Sequence, residues 1–194
     1  MVMEEKFIFL DRDGVINRDG EGWTRYGYVT RWEDFHFLPG VLKAFRQLKE
    51  NGYKCVIISN QKCVGKGIIS ADELDRLTDR VKGYVRERGG DIEKVYYCGH
   101  LDEDGCDCRK PLPGMFLKAR EDLGIDTLEG KFFVGDSERD MEAGKAAGLS
   151  TILVLTGKST REDAGAWECK PDHICRDLPE AVDVVMEKNE KAGI

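Results

Sequence analysis

Asp11 and Asp13 follow the apolar run FIFL, and Gly14 comes directly behind them. Two carboxylates two residues apart repel each other and are costly to bury, so a divalent cation is their natural partner. A second acidic pair, Asp136 and Asp140, follows another apolar run, FFVG. A hard ion such as Mg²⁺ takes one or two carboxylates together with phosphate and water, and Asp11 with Asp136 supplies that set. Ser59, behind CVII, offers a hydroxyl and the backbone amides after it to phosphate oxygens. Lys110 offers a point charge for the same phosphate. A lone D-x-D reads more readily as a solvated turn. Here two acid pairs, a serine and a lysine all stand behind strand-like runs.

A second constellation lies in CGHLDEDGCDCRKP, residues 98–111. Cys98-x-His100 and Cys106-x-Cys108 give three thiolates and one imidazole, a set that closes a tetrahedral Zn²⁺ site and leaves no open position. Such a zinc is structural rather than catalytic. The alternative is four unrelated reduced side chains on a loop, and the paired C-x-H and C-x-C spacing weighs against it. Lys110 stands two residues beyond Cys108, so a metal that fixes the loop also restricts where the lysine can point.

These residues need a scaffold that brings strand ends together. Buried strands are expected at 6–10, 55–59, 94–98, 131–135 and 151–155, each without polar alternation, as in a parallel sheet covered on both faces. Helical patterns lie between them at 40–52, 70–90, 114–124 and 138–148, and a last one runs over 178–189. Ser70 with Glu73 forms a capping box at the start of the second. The alternation predicts an α/β doubly wound, Rossmann-like parallel sheet with at most a minimal cap, in one domain over 1–194. Residues 17–38, with two glycine clusters and six aromatics, are expected to form an inserted hairpin or loop over the active edge, where open α/β sheets bind ligands.

Composition fits. The 194 residues are 41% hydrophobic, and a formal charge of −7 disfavours non-specific binding to nucleic acid or an anionic membrane. No signal peptide or spanning run is evident, so a cytoplasmic protein is expected. Seven cysteines, an odd number, argue against a disulfide framework.

The order D-x-D-G, Ser, Lys-Pro, G-D-x-x-x-D resembles the four motifs of the haloacid dehalogenase-like (HAD-like) phosphohydrolase superfamily. That resemblance implies a phosphoaspartyl mechanism. Asp11 would be the nucleophile, and Asp13 the acid that protonates the leaving oxygen and then activates water. Asp11, the Asp13 carbonyl and Asp136 would bind Mg²⁺, with Asp140 supporting them from behind. Ser59 and Lys110 would stabilise the phosphoryl group. FLDRDGVIN, GYV, SNQ, YYCGH, CDCRKPLPGM and GDSERDM together resemble the heptose-1,7-bisphosphate 7-phosphatases, with the related histidinol-phosphate phosphatases as the alternative. By that resemblance Asn17, Asp19, Tyr28, Asn60, Gln61 and Arg109 would line a sugar-phosphate pocket, with Arg109 on the distal phosphate. Two departures stand out: an insertion over 20–26, and Ser137 where the family has lysine. From a different class, a non-catalytic phosphate-binding module is a further alternative, although a binder needs neither nucleophile nor acid. The expected partner is a small phosphorylated metabolite, and the expected assembly a monomer or small homo-oligomer.

Other features take plain readings. Cys55 and Cys63 are expected to pack. Cys169, Cys175 and His173 are too irregular for a second metal site, and His36 is a packed or exposed histidine. VGKG lacks the end of a P-loop. Lys62 and Lys66 are expected to face solvent or draw in an anionic substrate.

Overall fold

The computed structural model describes residues 5–192. Residues 1–4, part of the N-terminal stretch read above for a signal peptide, lie outside the described residues. Six strands form one parallel sheet: β1 (Lys6–Leu10), β2 (Tyr53–Asn60), β3 (Lys94–Cys98), β4 (Phe132–Gly135), β5 (Ser150–Val154) and β6 (His173–Cys175). Their spatial order is β3-β2-β1-β4-β5-β6. The chain winds outward from β1 through β2 to β3, returns to β4 beside β1, and winds outward again. The order therefore reverses between β1 and β4, and the crevice beyond their carboxyl ends is where such sheets bind ligands.

Both faces of the sheet are covered, which is why the strands lack alternation. Ile8 and Leu10 of β1 pack into one cluster with Phe45 and Leu48 of α1 (Val41–Glu50) and Val182 of α7 (Leu178–Ala192). Phe7 and Phe9 point the other way, against Phe116 of α4 (Gly114–Asp122) and Phe133 of β4. The ring of Phe116 meets Phe9 and Phe133 edge-on, at 5.6 and 4.8 Å between centroids. The five expected strands and five expected helices are present, including α3 (Ala71–Glu87), whose Ser70 hydroxyl accepts from the Glu73 N–H at 3.2 Å. The remaining predicted helix is α5 (Glu138–Ala146).

Three short elements were not legible in advance: α2 (Lys62–Gly65), α6 (Arg161–Ala166) and the three-residue β6. Each is shorter than the window in which periodicity can be read. Residues 17–38 form a loop, with isolated bridges from Asn17 to Asp13 and to Phe37 and a 3₁₀ turn over Trp32–Asp34. Aromatic contacts hold this loop down. Tyr84 of α3 stacks on Phe37 at 5.2 Å and meets Trp32 at 5.1 Å. Among the described residues no helix is long and apolar enough to cross a membrane.

Candidate active site at the strand ends

A cleft of about 490 Å³ opens beyond the carboxyl ends of β1, β2 and β4. Asp11, Asp13, Asp136 and Asp140 line it together with Lys110, Asn60, Arg109, Asp19 and Tyr28. The carboxylate oxygens of Asp11, Asp136 and Asp140 all lie within 4.8 Å of one another and are buried. Burial pushes the Asp11 carboxyl up to about 6 even though the Lys110 ammonium pulls it down. Asp136 is also raised well above its ordinary value, by burial and then by the charges of Asp140 and Asp11. Asp140 moves the opposite way: its burial is outweighed by Lys110, and the Ser137 hydroxyl adds to the effect. The Lys110 ammonium reaches Asp140 Oδ1 at 2.6 Å and Asp11 Oδ2 at 2.9 Å, and donates to the Ile58 carbonyl at 3.0 Å. Asp140 Oδ2 further accepts the Ser137 hydroxyl at 2.6 Å. Asp11 and Asp136 thus crowd negative charge that one ammonium does not cancel, as a cation site requires.

The backbone leaves that space deliberately narrow. A Cβ on Gly14, whose φ is +82°, would lie 2.4 Å from Asp136 Oδ2, and one on Gly157 would lie 1.9 Å from it. Only glycine at both positions lets the loops after β1 and β5 close around Asp136. The Lys158 N–H then donates to Asp136 Oδ2 at 2.8 Å.

Asp13 carries donors on both oxygens. Asn17 Nδ2 donates to Oδ1 at 2.8 Å and Gln61 Nε2 to Oδ2 at 2.8 Å, while Arg12 bonds both. Gln61 also donates to the buried Ser59 hydroxyl at 3.1 Å. Asn60 holds the backbone of Lys110 from both sides: its Nδ2 donates to the Lys110 carbonyl at 3.0 Å, and its Oδ1 accepts the Lys110 N–H at 3.1 Å.

The cysteine–histidine group forms at the edge of this cleft. Cys98 Sγ lies 3.2 Å from Cys108 Sγ and 3.7 Å from Cys106 Sγ. His100 Nδ1 lies 3.3 Å from Cys108 Sγ and 3.6 Å from Cys98 Sγ. Sulfurs about 2.3 Å from one tetrahedral zinc would be about 3.8 Å apart, so the set is gathered to nearly that size. Burial opposes ionisation of Cys106, yet hydrogen bonds from the Arg109 backbone and the neighbouring thiols bring its thiol down to about 7. The same loop carries Asp102, which pairs with Lys62 Nζ at 2.5 Å and Arg109 Nε at 2.6 Å. Those two contacts, that of Lys62 first, hold Asp102 down to about 2.

A HAD-hydrolase-like family model matches residues 107–181. The chain is 42% identical to the D-glycero-beta-D-manno-heptose-1,7-bisphosphate 7-phosphatase of Pasteurella multocida, covering 82% of this chain and 86% of that protein. It is 38% identical to the enzyme of the same name from Escherichia coli K12, over 90% of this chain and 92% of that one. The D,D-heptose 1,7-bisphosphate phosphatase of B. bronchiseptica, solved with magnesium and phosphate, superposes with a TM-score of 0.84 at 32% identity, covering 94% and 99% of the two chains. The chain belongs to this phosphatase family of the HAD-like hydrolases.

As a HAD-like phosphatase the chain is a hydrolase of phosphate monoesters, in agreement with the motif order. Of the residues expected to line its pocket, Asp19, Tyr28, Asn60 and Arg109 face the cleft. Asn17 and Gln61 do not face it, and serve instead as donors to Asp13. Lys62 lines the cleft rather than open solvent, whereas the Lys66 ammonium sits 5.2 Å over the Tyr28 ring. Cys55 and Cys63 are buried as expected, and His36 is exposed beside Trp23. Among the described residues Cys169, His173 and Cys175 form no metal-sized group.

The HAD-like phosphatase site also contains residues that spacing did not disclose. Lys158 lies in the loop after β5, lines the cleft and pairs with Asp19 at 3.4 Å. Arg139 lines the same cleft from the first turn of α5. Arg12, the middle residue of D-x-D, is buried with its guanidinium on Asp13. The only sequence signal for Arg12 is its place between two aspartates that line the cleft.

Proposed function

We propose that this chain is a Mg²⁺-dependent phosphatase that removes the 7-phosphate of D-glycero-D-manno-heptose 1,7-bisphosphate through a phosphoaspartate at Asp11. The observation that carries this reading is the position of Asp11: its carboxylate is buried at the cleft floor, 2.9 Å from the Lys110 ammonium and beside Asp136, with Asp13 facing the same space. Support for the substrate comes from the names of the relatives and from the cations at the cleft rim, Lys62, Arg109, Arg139 and Lys158, which suit a second phosphate.

Asp11 attacks phosphorus, forming an acyl phosphate as the bond to the sugar oxygen breaks. Asp13 gives a proton to that departing oxygen, then takes one from the water that hydrolyses the acyl phosphate. Lys110 offsets charge on the transferring phosphoryl group, and Ser59 adds its hydroxyl. Mg²⁺, held by Asp11, Asp136 and the Asp13 carbonyl, would neutralise phosphate charge when bound. Asp140 keeps Lys110 and the Asp136 loop in place from behind. Cys98, His100, Cys106 and Cys108 would hold a structural Zn²⁺. Arg109, with Asn60 anchoring the neighbouring backbone and Asp19 and Tyr28 across the cleft, would receive the distal end of the sugar. We read the protein as one cytoplasmic domain, working as a monomer or small homo-oligomer.

The test is Mg²⁺-dependent phosphate release from both anomers of the heptose bisphosphate and from histidinol phosphate, with Asp11→Asn as control. Preference for the bisphosphate, lost by about 10⁴-fold in the variant, is expected. Preference for histidinol phosphate would move the protein to that branch. Release from neither would favour a phosphate-binding module.

A further inference from the structure

Arg12 stands between the two reacting aspartates in sequence, yet its side chain turns away from the cleft and is only 2% exposed. Its Nε donates to Asp13 Oδ2 at 3.1 Å, and its Nη2 donates to Asp13 Oδ1 at 3.1 Å and to the Val29 carbonyl at 3.2 Å. The guanidinium carbon lies 6.0 Å from the centre of the Phe35 ring and 5.9 Å from that of Tyr97. Phe35 belongs to the 17–38 loop and Tyr97 to β3, so the two rings grip the cation from separate parts of the fold.

Burying a guanidinium is costly, and an apolar side chain would fill the same space without that cost. The geometry gives the reason for its presence. A planar fork engages both oxygens of a carboxylate and so fixes its rotation, which a lysine cannot do. Asn17 and Gln61 add a further donor to each oxygen from either side. Asp13 is left with its edge in the cleft and little freedom to turn, and the aromatic cage makes the arginine itself rigid.

We propose that Arg12 is a positioning residue for proton transfer, holding the Asp13 carboxylate toward the leaving oxygen without touching substrate. This rests on the phosphatase reading above. A displacement of about 1 Å in a reacting group costs on the order of 10²-fold. The size of that loss depends on the substrate. A sugar alkoxide is a poor leaving group and needs the proton, whereas p-nitrophenolate departs without it. The quantity to compare is kcat/KM, which reports steps up to the first irreversible one and so isolates transfer to Asp11 from the later hydrolysis.

The experiment measures kcat/KM for Arg12→Met, Arg12→Lys and the unaltered enzyme on the heptose bisphosphate and on p-nitrophenyl phosphate, with melting temperatures alongside. The expected result is a loss of about 10²-fold on the sugar phosphate in both variants, with a loss below about 10-fold on p-nitrophenyl phosphate. Loss in the lysine variant, which keeps the charge, assigns the effect to the fork. An equal loss on both substrates, the signature of a merely structural role, overturns the proposal, as does no loss on either. Should Arg12→Met fail to fold, Arg12→Lys carries the same comparison. If the unaltered enzyme hydrolyses p-nitrophenyl phosphate and histidinol phosphate but not the heptose ester, the substrate reading fails. Histidinol phosphate then replaces the heptose ester as the poor leaving group. If it hydrolyses none of the three, the phosphatase reading and this proposal fall together.

Discussion

Asp11 holds a proton more tightly in the folded chain than in the unfolded one, because burial lifts it from 3.8 to about 6. Between those values the native state binds the extra proton, so this group's contribution to stability is lost as pH rises through the window. Asp136 is raised by the same burial and by its acidic neighbours, and acts in the same direction. Asp140 is lowered, so its contribution is lost only as pH falls below the ordinary carboxylate range. In Mg²⁺-free buffer the protein is therefore expected to melt at a lower temperature at pH 7 than at pH 5. Asp11→Asn should narrow that difference, and thermal melts at the two pH values check it. A melting temperature that rises from pH 5 to pH 7 would show that the buried carboxylates are ionised at little cost. The same crowding makes Asp11 and Asp136 suited to share a divalent cation.

At the scale of elements, the loop between β3 and α4 unites two functions. It gathers Cys98, His100, Cys106 and Cys108, then presents Arg109 and Lys110 within two residues. Asn60 at the end of β2 clamps the Lys110 backbone, so the ammonium is held from the sheet side as well as from the loop. Opening the thiol group should loosen the Arg109 end first. Cys106→Ser is expected to abolish the capacity of this group to take up a soft metal such as Zn²⁺ and to lower kcat/KM by about 10-fold, with the melting transition retained. Elemental analysis beside the phosphate-release assay reads both effects. Unchanged catalysis in a metal-free variant would separate the loop from the active site.

At the scale of the whole molecule, the site exists because the strand order reverses between β1 and β4. That reversal brings together loops far apart in sequence, and Asp136 sits where those after β1 and β5 meet. Gly157 marks the closest approach, with no room for a Cβ beside Asp136. Gly157→Ala should displace Asp136 and reduce turnover by about 10²-fold, while raising the Mg²⁺ concentration needed for half activity. A Mg²⁺ titration of initial rates checks it, and an unchanged titration would show that the loop yields without moving the carboxylate. The large apolar layers on either face, around Phe45 and around Phe116, make the sheet a rigid platform for this convergence.

Much of this protein was determined by the sequence alone. Short unbroken apolar runs set the buried strands, the Ser70–Glu73 pair set the start of α3, and the acid pairs behind FIFL and FFVG marked the site. Such signals are local: the period of burial and the type of residue at a strand end are carried by neighbouring positions. Tertiary structure alone decided the rest. It made Asn17 and Gln61 supports for Asp13 rather than walls of the pocket, and turned Asn60 into a clamp on Lys110. It also drew in Lys158 from the loop after β5, and folded Arg12 inward between Phe35 and Tyr97. A side chain's partner depends on which way it points after distant elements have packed, and no spacing along the chain encodes that direction.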